Sequence, residues 1–183
     1  MAGDRRPKRI TSGPVNEEIT PSWSRDGNWI YFTSKKTGTY QAWKAPSQGG
    51  VARQVTRNGG RRPSESADGK YLYYAKVHAN SSIWRMPLSG GQEEQVLSGL
   101  GAGWSTWALG SAGIYFIRPT SDGTTGKQLA FHSFATRRTR VLAELTHPVD
   151  MGLALSSDEH LLLYSQIDHA GSDLMLVENF RLQ

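Results

Sequence analysis

Serine, histidine and aspartate, the residue types of a hydrolytic triad, all occur in this chain, but the sequence that usually presents a nucleophilic serine does not. That sequence, Gly-x-Ser-x-Gly, forms a sharp turn between a strand and a helix and exposes the serine hydroxyl. Cysteine is absent, so a thiol nucleophile, a disulfide bond and a cysteine-ligated zinc site are excluded. We therefore predict that the protein is not an enzyme and has no catalytic residues.

The side chains that could bind a metal ion also lack a recognisable spacing. Two of the five histidines lie beside an acid in predicted loops, His147 near Asp150 and His169 next to Asp168. Neither pair belongs to a set of three or four ligands, which a protein zinc site needs. No glycine-rich phosphate loop and no calcium-binding loop occurs. We predict that the protein binds no metal ion and no cofactor.

Two of the acids, Asp26 and Asp68, are explained by local structure. Each is followed by glycine, and the two Asp-Gly pairs are 42 residues apart, from position 26 to position 68. Asp-Gly between two short hydrophobic runs is a strong signal for a β-hairpin, because glycine accepts the positive φ of a tight turn. Aspartate side chains also bond to the backbone of such turns. The acids are therefore assigned to turns.

The segment around each Asp-Gly turn is repeated along the chain. Pro-Ser-Trp-Ser-Arg-Asp-Gly-Asn-Trp-Ile-Tyr-Phe-Thr-Ser at 21–34 matches Pro-Ser-Glu-Ser-Ala-Asp-Gly-Lys-Tyr-Leu-Tyr-Tyr-Ala-Lys at 63–76. Two weaker copies follow, and the equivalent positions of the four copies are Ile30, Leu72, Ile114 and Leu162. A repeat of about 40–45 residues with four short antiparallel strands is the blade of a β-propeller.

We therefore predict an all-β protein, a β-propeller built from four four-stranded antiparallel blades. Residues 1–7 form a flexible tail, and residues 8–183 form the propeller. The predicted blades cover residues 21–56, 63–97, 104–142 and 150–180, the last completed by residues 8–12.

The two ends of the chain provide unequal numbers of strands. Residues 8–12 resemble the fourth-strand segments at 53–56 and 95–98, so the chain begins with a surplus fourth strand and its last blade lacks one. An unpaired strand edge favours pairing. The N-terminal strand could complete the last blade of the same chain or that of a partner chain in a larger ring, and the chain could also be the C-terminal part of a longer propeller.

Composition agrees with many short strands joined by turns. Hydrophobic residues make up 37% of the 183 residues, and 20 are glycines. No apolar run is long enough for a transmembrane helix, which needs about 20 residues, and the N-terminus is not an intact secretory signal. We expect a cytoplasmic protein if the chain is complete, and a periplasmic one if a signal or anchor was removed. The net charge of +5 accompanies no nucleic-acid-binding motif, so we expect no direct binding of nucleic acid.

The blade sequence at 21–34, followed by Gly-Gly-Val-Ala-Arg-Gln-Val-Thr at 49–56, resembles the TolB-type, WD-repeat-like propeller family. The resemblance implies a propeller that acts in protein interaction or sensing. Members occur in a periplasmic protein, beside peptidase domains, and as C-terminal halves of bacterial winged-helix regulators. It therefore implies a non-catalytic module that binds a protein or peptide. The alternatives are the ligand-binding part of a transcription regulator and an accessory propeller of a peptidase.

In such a propeller, the links between blades and the loops between second and third strands share one face, here called the loop face. The Asp-Gly turns lie on the opposite face, here called the turn face. Innermost strands line the channel, and we expect Trp23, Glu65 and Trp107 at equivalent positions there, although core packing explains both tryptophans equally well. Loops on a rigid scaffold often bind partners, and aromatic and arginine side chains are common anchors. We predict partner binding by Arg61, Arg62, Glu65, Trp104, Trp107 and His147.

Overall fold

The computed structural model describes residues 7–12, 17–77, 80–120, 126–168 and 171–177, and within these ranges the chain forms strands and turns without a helix. None of the described residues forms a helix that could cross a membrane. The predicted tail at residues 1–7 lies almost wholly outside the described residues, as does the end of the last predicted blade after residue 177.

Fifteen strands in the described ranges form four antiparallel sheets, one for each predicted blade. The first blade contains β1 (Glu18–Trp23), β2 (Trp29–Ser34), β3 (Gln41–Pro46) and β4 (Arg53–Gln54), and the second contains β5 (Arg61–Glu65), β6 (Tyr71–Lys76), β7 (Ser82–Pro87) and β8 (Glu94–Leu97). The third contains β9 (Trp107–Leu109), β10 (Gly113–Pro119), β11 (Lys127–Ser133) and β12 (Thr139–Leu145), and the fourth contains β13 (Val149–Leu155), β14 (Leu162–Asp168) and β15 (Gly171–Val177). The predicted all-β propeller of four blades is confirmed.

The register of the sheets confirms the equivalence of the four repeat positions. Ile30, Leu72, Ile114 and Leu162 all lie on the second strand of their blade. They pair with the same position of the innermost strand, occupied by Trp23, Glu65, Leu109 and Leu155. The 42-residue period of the first two blades is therefore a period in three dimensions.

The Asp-Gly turns have the geometry that their residues predict. The hydroxyl groups of Ser24 and Ser66 donate to the carboxylates of Asp26 and Asp68, each at 2.6 Å, and these hydrogen bonds contribute to lowering the pKa of both acids. The fourth blade repeats the turn without glycine, where Glu159 takes the left-handed conformation at a φ of 59°. Serine and aspartate therefore suffice to build this turn.

Neighbouring blades pack through one repeated contact. Tyr31 of the first blade packs on Leu72 and Tyr74 of the second. By the same registers, Tyr73 belongs to the cluster that contains Ile114 and Phe116, and Tyr115 to the cluster that contains Leu162 and Tyr164. The second strand of each inner blade is thus buried on both faces, which explains its nearly continuous apolar sequence.

The outer edge of the fourth blade differs from the expectation. Its sheet has three strands among the described residues, with β15 at the edge. Residues 7–12, expected to supply a fourth strand, form none and lie beside the first blade, where Lys8 Nζ donates to the Gln48 carbonyl at 2.6 Å. Pairing within the chain, one of the alternatives left open by the sequence, is not seen among the described residues. Completion of the blade by a partner chain stays a prediction.

A nearly buried lysine forms an ion pair within the second blade. The Lys76 side chain is 6% exposed and forms an ion pair with Glu93, which also accepts a hydrogen bond from Tyr74 Oη at 2.5 Å. Desolvation raises the pKa of Glu93, but hydrogen bonds from Lys76 and Tyr74 outweigh it, so the net pKa lies below its ordinary value of 4.5. The ionised carboxylate is therefore favoured in the folded state.

We predict that Glu93→Gln lowers the free energy of unfolding by about 2 kcal/mol at pH 7, because the lysine is left without its counter-charge. Since folding lowers the pKa of Glu93, its contribution is present above the unfolded pKa and is lost as the pH falls through the folded pKa, below about 4.5. Denaturant titrations from pH 3 to 7 test both points. Glu94→Gln, at an exposed ion pair with Arg85, is the control and should change stability by less than about 0.5 kcal/mol. An equal loss in both variants would contradict the assignment.

Candidate functional site: the loop face and the centre of the ring

The innermost strand carries a bulge that recurs in three blades. The bulged residues are Thr20, Arg62 and Gly152, with φ values of 51°, 52° and 105°, all in the left-handed region. Thr20 and Arg62 are each followed by proline, which disfavours the right-handed helical conformation of the preceding residue. Bulges redirect side chains, and here the bulge places the guanidinium of Arg62 toward the later blades.

Arg62 connects all four blades. Its backbone N–H donates to Thr33 Oγ1 of the first blade at 2.9 Å. Its guanidinium donates to the carbonyl of Ser105, in the link before β9, and to the carbonyl of Leu153 in the fourth blade, the latter at 2.5 Å. Burial lowers its pKa, and among the described residues no carboxylate forms an ion pair with it. Arg62 therefore acts as a structural link at the centre, where both terminal nitrogens of its guanidinium donate to backbone carbonyls.

The adjacent Arg61 is held differently, between two aromatic rings on the loop face. Its guanidinium carbon lies 3.5 Å from the ring centroid of Tyr40 and 4.7 Å from that of Trp104. Both rings lie within cation–π distance of the guanidinium and restrict its movement. Burial lowers the pKa of Arg61, while Tyr40 and Glu17 raise it. The arginine remains charged at neutral pH.

Arg61 and Tyr40 line a cleft of about 570 Å³ on the loop face. Lys35 and Arg57 add two further cations to its lining. Glu17 stands near it, accepting a hydrogen bond from Tyr40 and lying 3.2 Å from Lys35 Nζ, and these contacts lower its pKa. The described lining therefore carries an excess of positive charge.

Glu65 lies at the opposite end of β5 from Arg61 and Arg62. A strand rises about 3.3 Å per residue, so four residues separate the two ends by about 13 Å. The Glu65 carboxylate accepts the backbone N–H of Arg25 at 2.8 Å, next to a turn on the turn face. Burial and hydrogen bonding to Glu65 also raise the pKa of Tyr31. The structure therefore separates Glu65 from the other predicted residues of the second blade.

Trp107 lies in the core, with a side chain only 1% exposed. Its indole N–H donates to the Trp104 carbonyl at 3.0 Å, and its ring lies 5.9 Å from the Arg62 guanidinium. The expected equivalence with Trp23 and Glu65 is wrong, because Trp107 pairs with Phe116 and the equivalent residue is Leu109. The register of the third repeat is hard to predict, because this repeat has no Asp-Gly turn. Trp107 lies two residues before the position equivalent to Trp23 and Glu65.

His147 lies on the link between the third and fourth blades. Its imidazole is 54% exposed, with Nε2 3.8 Å from the Asp168 carboxylate and Nδ1 3.0 Å from Thr146 Oγ1. These contacts are local to the fourth blade. Of the six predicted site residues, the structure brings together Arg61 with Trp104 and Arg62 with Trp107, while Glu65 and His147 lie elsewhere.

Comparison with known proteins agrees with this architecture. A family model described as the TolB beta propeller domain matches residues 1–149. The chain belongs to the TolB β-propeller family. The resemblance seen in the first two blades is thereby confirmed.

Solved TolB structures share the fold over nearly the whole chain. TolB from Acinetobacter baumannii superposes with a TM-score of 0.75 and 18% identity, over 92% of this chain and 42% of that one. A TolB-like protein of Agrobacterium tumefaciens gives 0.74 and 18%, over 97% of this chain and 67% of that one. A puromycin-hydrolyzing peptidase of Mycobacterium tuberculosis gives 0.67 and 13%, over 96% and 32%. This chain thus spans less than half of the Acinetobacter TolB.

Residues that sequence reasoning missed complete the loop-face cleft of this TolB-type propeller. Tyr40 and Lys35 line this cleft but are not among the six residues predicted from the sequence. The contact between Tyr40 and Arg61 crosses from the first blade to the second, and the 42-residue repeat contains no signal for a pair at this separation. No group of three or more histidine, aspartate or glutamate side chains that could hold a metal ion occurs within the described ranges.

We predict that Arg62→Ala lowers the free energy of unfolding by about 3 kcal/mol, because the two carbonyls lose hydrogen bonds to a charged donor. Arg62→Gly should lose less, by about 1 kcal/mol, since glycine relieves the left-handed backbone that alanine retains. Chemical denaturation of both variants measures the difference. The exposed Arg138→Ala is the control, with an expected change below about 0.5 kcal/mol. An Arg62→Ala protein as stable as the parent would refute the role of Arg62.

Proposed function

We propose that this chain is a non-catalytic propeller module that binds a protein or peptide partner through its loop face, and that Arg61, stacked between Tyr40 and Trp104, anchors that partner. The TolB-like fold commonly mediates protein interaction. The observation that carries the proposal is the position of the Arg61 guanidinium against two aromatic rings, because these contacts restrict the movement of a charged group that lines an open cleft.

The composition of the cleft favours an acidic segment of the partner. Three cationic side chains, those of Lys35, Arg57 and Arg61, line it. Glu17 is paired with Lys35 and Tyr40, which leaves Arg57 and Arg61 to bind added carboxylates. A guanidinium binds a carboxylate through two parallel hydrogen bonds, and Tyr40 and Trp104 add apolar contact area. An acidic peptide that also carries aromatic or aliphatic side chains would satisfy both kinds of contact.

The scaffold suits this role because the arginine is presented by a rigid element. Arg61 begins β5, and the adjacent Arg62 is bonded to three other blades. A side chain whose orientation is fixed before binding loses little entropy when the partner docks. Arg62, by contrast, is assigned to the packing of the four blades and not to contact with the partner.

A panel of peptides selected by display on the purified protein tests the proposal. Selected peptides should be enriched in glutamate and aspartate, and their binding, measured by fluorescence anisotropy, should weaken as salt is raised. Arg61→Ala should weaken binding at least about tenfold, as expected for an anchor residue, and Arg61→Lys should restore it only partly, because lysine keeps the charge but not the planar stack.

The matched control is Arg138→Ala, which removes an exposed arginine from the β11–β12 turn on the turn face. It changes the net charge by the same amount as Arg61→Ala and should leave binding unchanged. Equal loss of binding in the two variants would mean that general charge, and not the stack, recruits the peptides. Unchanged binding in Arg61→Ala would remove the site assignment.

A second candidate is an accessory propeller of a peptidase, favoured by the likeness to the Mycobacterium tuberculosis peptidase, which this chain matches over 96% of its own length but only 32% of that chain. The adjoining coding sequence tests it: a serine-hydrolase domain in the same reading frame supports this candidate, and its absence counts against it. The ligand-binding part of a transcription regulator stays a prediction from sequence, which an upstream winged helix would support.

A further inference from the structure

The fourth and the first blade, at the two ends of the array, carry residues equivalent to the two halves of the contact that joins neighbouring blades. One half is the residue equivalent to Tyr31, Tyr73 and Tyr115, and in the fourth blade this residue is Leu163. The three tyrosines are 1–2% exposed, whereas Leu163 is 37% exposed. In the fourth blade, the residue that would pack into the next blade is therefore left partly exposed.

The apolar face around Leu163 is continuous. Leu163 pairs with Leu176 across the sheet, and Ser165 pairs with Leu174, so these four side chains share one face. Leu174 is 73% exposed and Leu176 is 52% exposed. Exposed leucines grouped on an edge sheet mark a contact surface, and β15 also has an unpaired edge among the described residues.

The first blade presents the receiving half. Ile30 and Phe32 occupy the positions that Leu72 and Tyr74 occupy in the second blade, where they receive Tyr31. Phe32 is already buried, at 4% exposed, whereas Ile30 is half-buried. Trp23 pairs with Ile30 on this face and is 64% exposed. None of the core clusters among the described residues joins the first blade to the fourth.

The N-terminal segment already lies beside this face. Residues 9–12 and the side chain of Trp43 line a cleft of about 730 Å³, and Lys8 bonds to the Gln48 carbonyl. In sequence, Arg9-Ile10 matches Gln54-Val55 and Gln95-Val96 of the fourth-strand segments. Val55 and Val96 each pack into the contact with the following blade.

The register of those fourth strands gives a specific pairing. Gln54 pairs with Trp43 and Gln95 pairs with Trp84, and the equivalent of these tryptophans in the fourth blade is Met175, which pairs with Tyr164. The fourth blade would therefore receive Arg9 opposite Met175. The leucine face of the fourth blade would at the same time pack on the half-buried Ile30 and the exposed Trp23 of the first blade.

We infer that a second copy of this chain covers both ends: the fourth blade of each copy packs on the first blade of the other and pairs β15 with residues 8–12 there. The contact is head-to-tail, and such a contact closes into a ring when both copies use both ends. A second copy is favoured because it carries both matching halves, with the same residues at the same register as the contacts within the chain.

Light scattering across a concentration series tests this inference on the full chain. The expected mass is twice the 20.2 kDa of one chain, and a mass of one chain at all concentrations overturns the inference. Leu174→Lys with Leu176→Lys should give the single-chain mass with an unchanged circular dichroism spectrum. Val141→Lys, on the outer strand of the third blade and 42% exposed, is the matched control and should stay a dimer. A dimer that survives the double substitution overturns the assigned surface.

Engineered cysteines distinguish a partner chain from closure within one chain, because the sequence contains no cysteine of its own. The double variant Arg9→Cys with Met175→Cys should give a disulfide-linked dimer on oxidation. Neither single variant should form a disulfide through this pairing when oxidised alone. An equimolar mixture of the two single variants should form the linked dimer. A disulfide confined to one chain, or none at all, overturns the proposed pairing.

Discussion

The structure depends on the contact by which one blade covers the next. A four-stranded sheet has two faces, and a blade of this size can bury both only against neighbours. Tyr31, Tyr73 and Tyr115 make that contact in turn, each inserting from the second strand of its blade into a pair of apolar residues on the following blade. Burial of an aromatic side chain contributes about 2 kcal/mol or more, so three repeats of one contact account for much of the cohesion between blades.

At the centre of the array, the same architecture separates a structural arginine from a binding one. Arg62 lies on a bulge and bonds to three other blades, so its charge is used within the ring. Arg61, one residue earlier in the strand, points to the loop face and is held by Tyr40 and Trp104. These two adjacent arginines thus perform different tasks. The rigidity that Arg62 gives to the strand helps to position Arg61 on the loop face.

Much of the fold could be predicted because each blade contains its own signals. The turns built on Asp26 and Asp68, and the periodic positions of Ile30 and Leu72, determine the strands locally. The site could be predicted only in part, since contacts between blades join residues from different repeats. Arg61 was assigned correctly to the loop face, but its partner Tyr40 was missed. Likewise, the order of the blades follows from the order of the repeats in the sequence. The strand that pairs with the N-terminal segment depends on what covers the end faces of the array, and the repeats contain no signal for that.

Hydrogen–deuterium exchange at two protein concentrations tests the central claim most directly, namely that each blade is covered by the next and that the fourth blade presents an uncovered apolar face. The amides of β6 and β10, in blades covered on both faces, should be strongly protected at either concentration. Those of β14 and β15 should gain protection as the concentration rises and a second copy covers the fourth blade. Protection of β14 and β15 equal to that of β6 and independent of concentration would contradict the account.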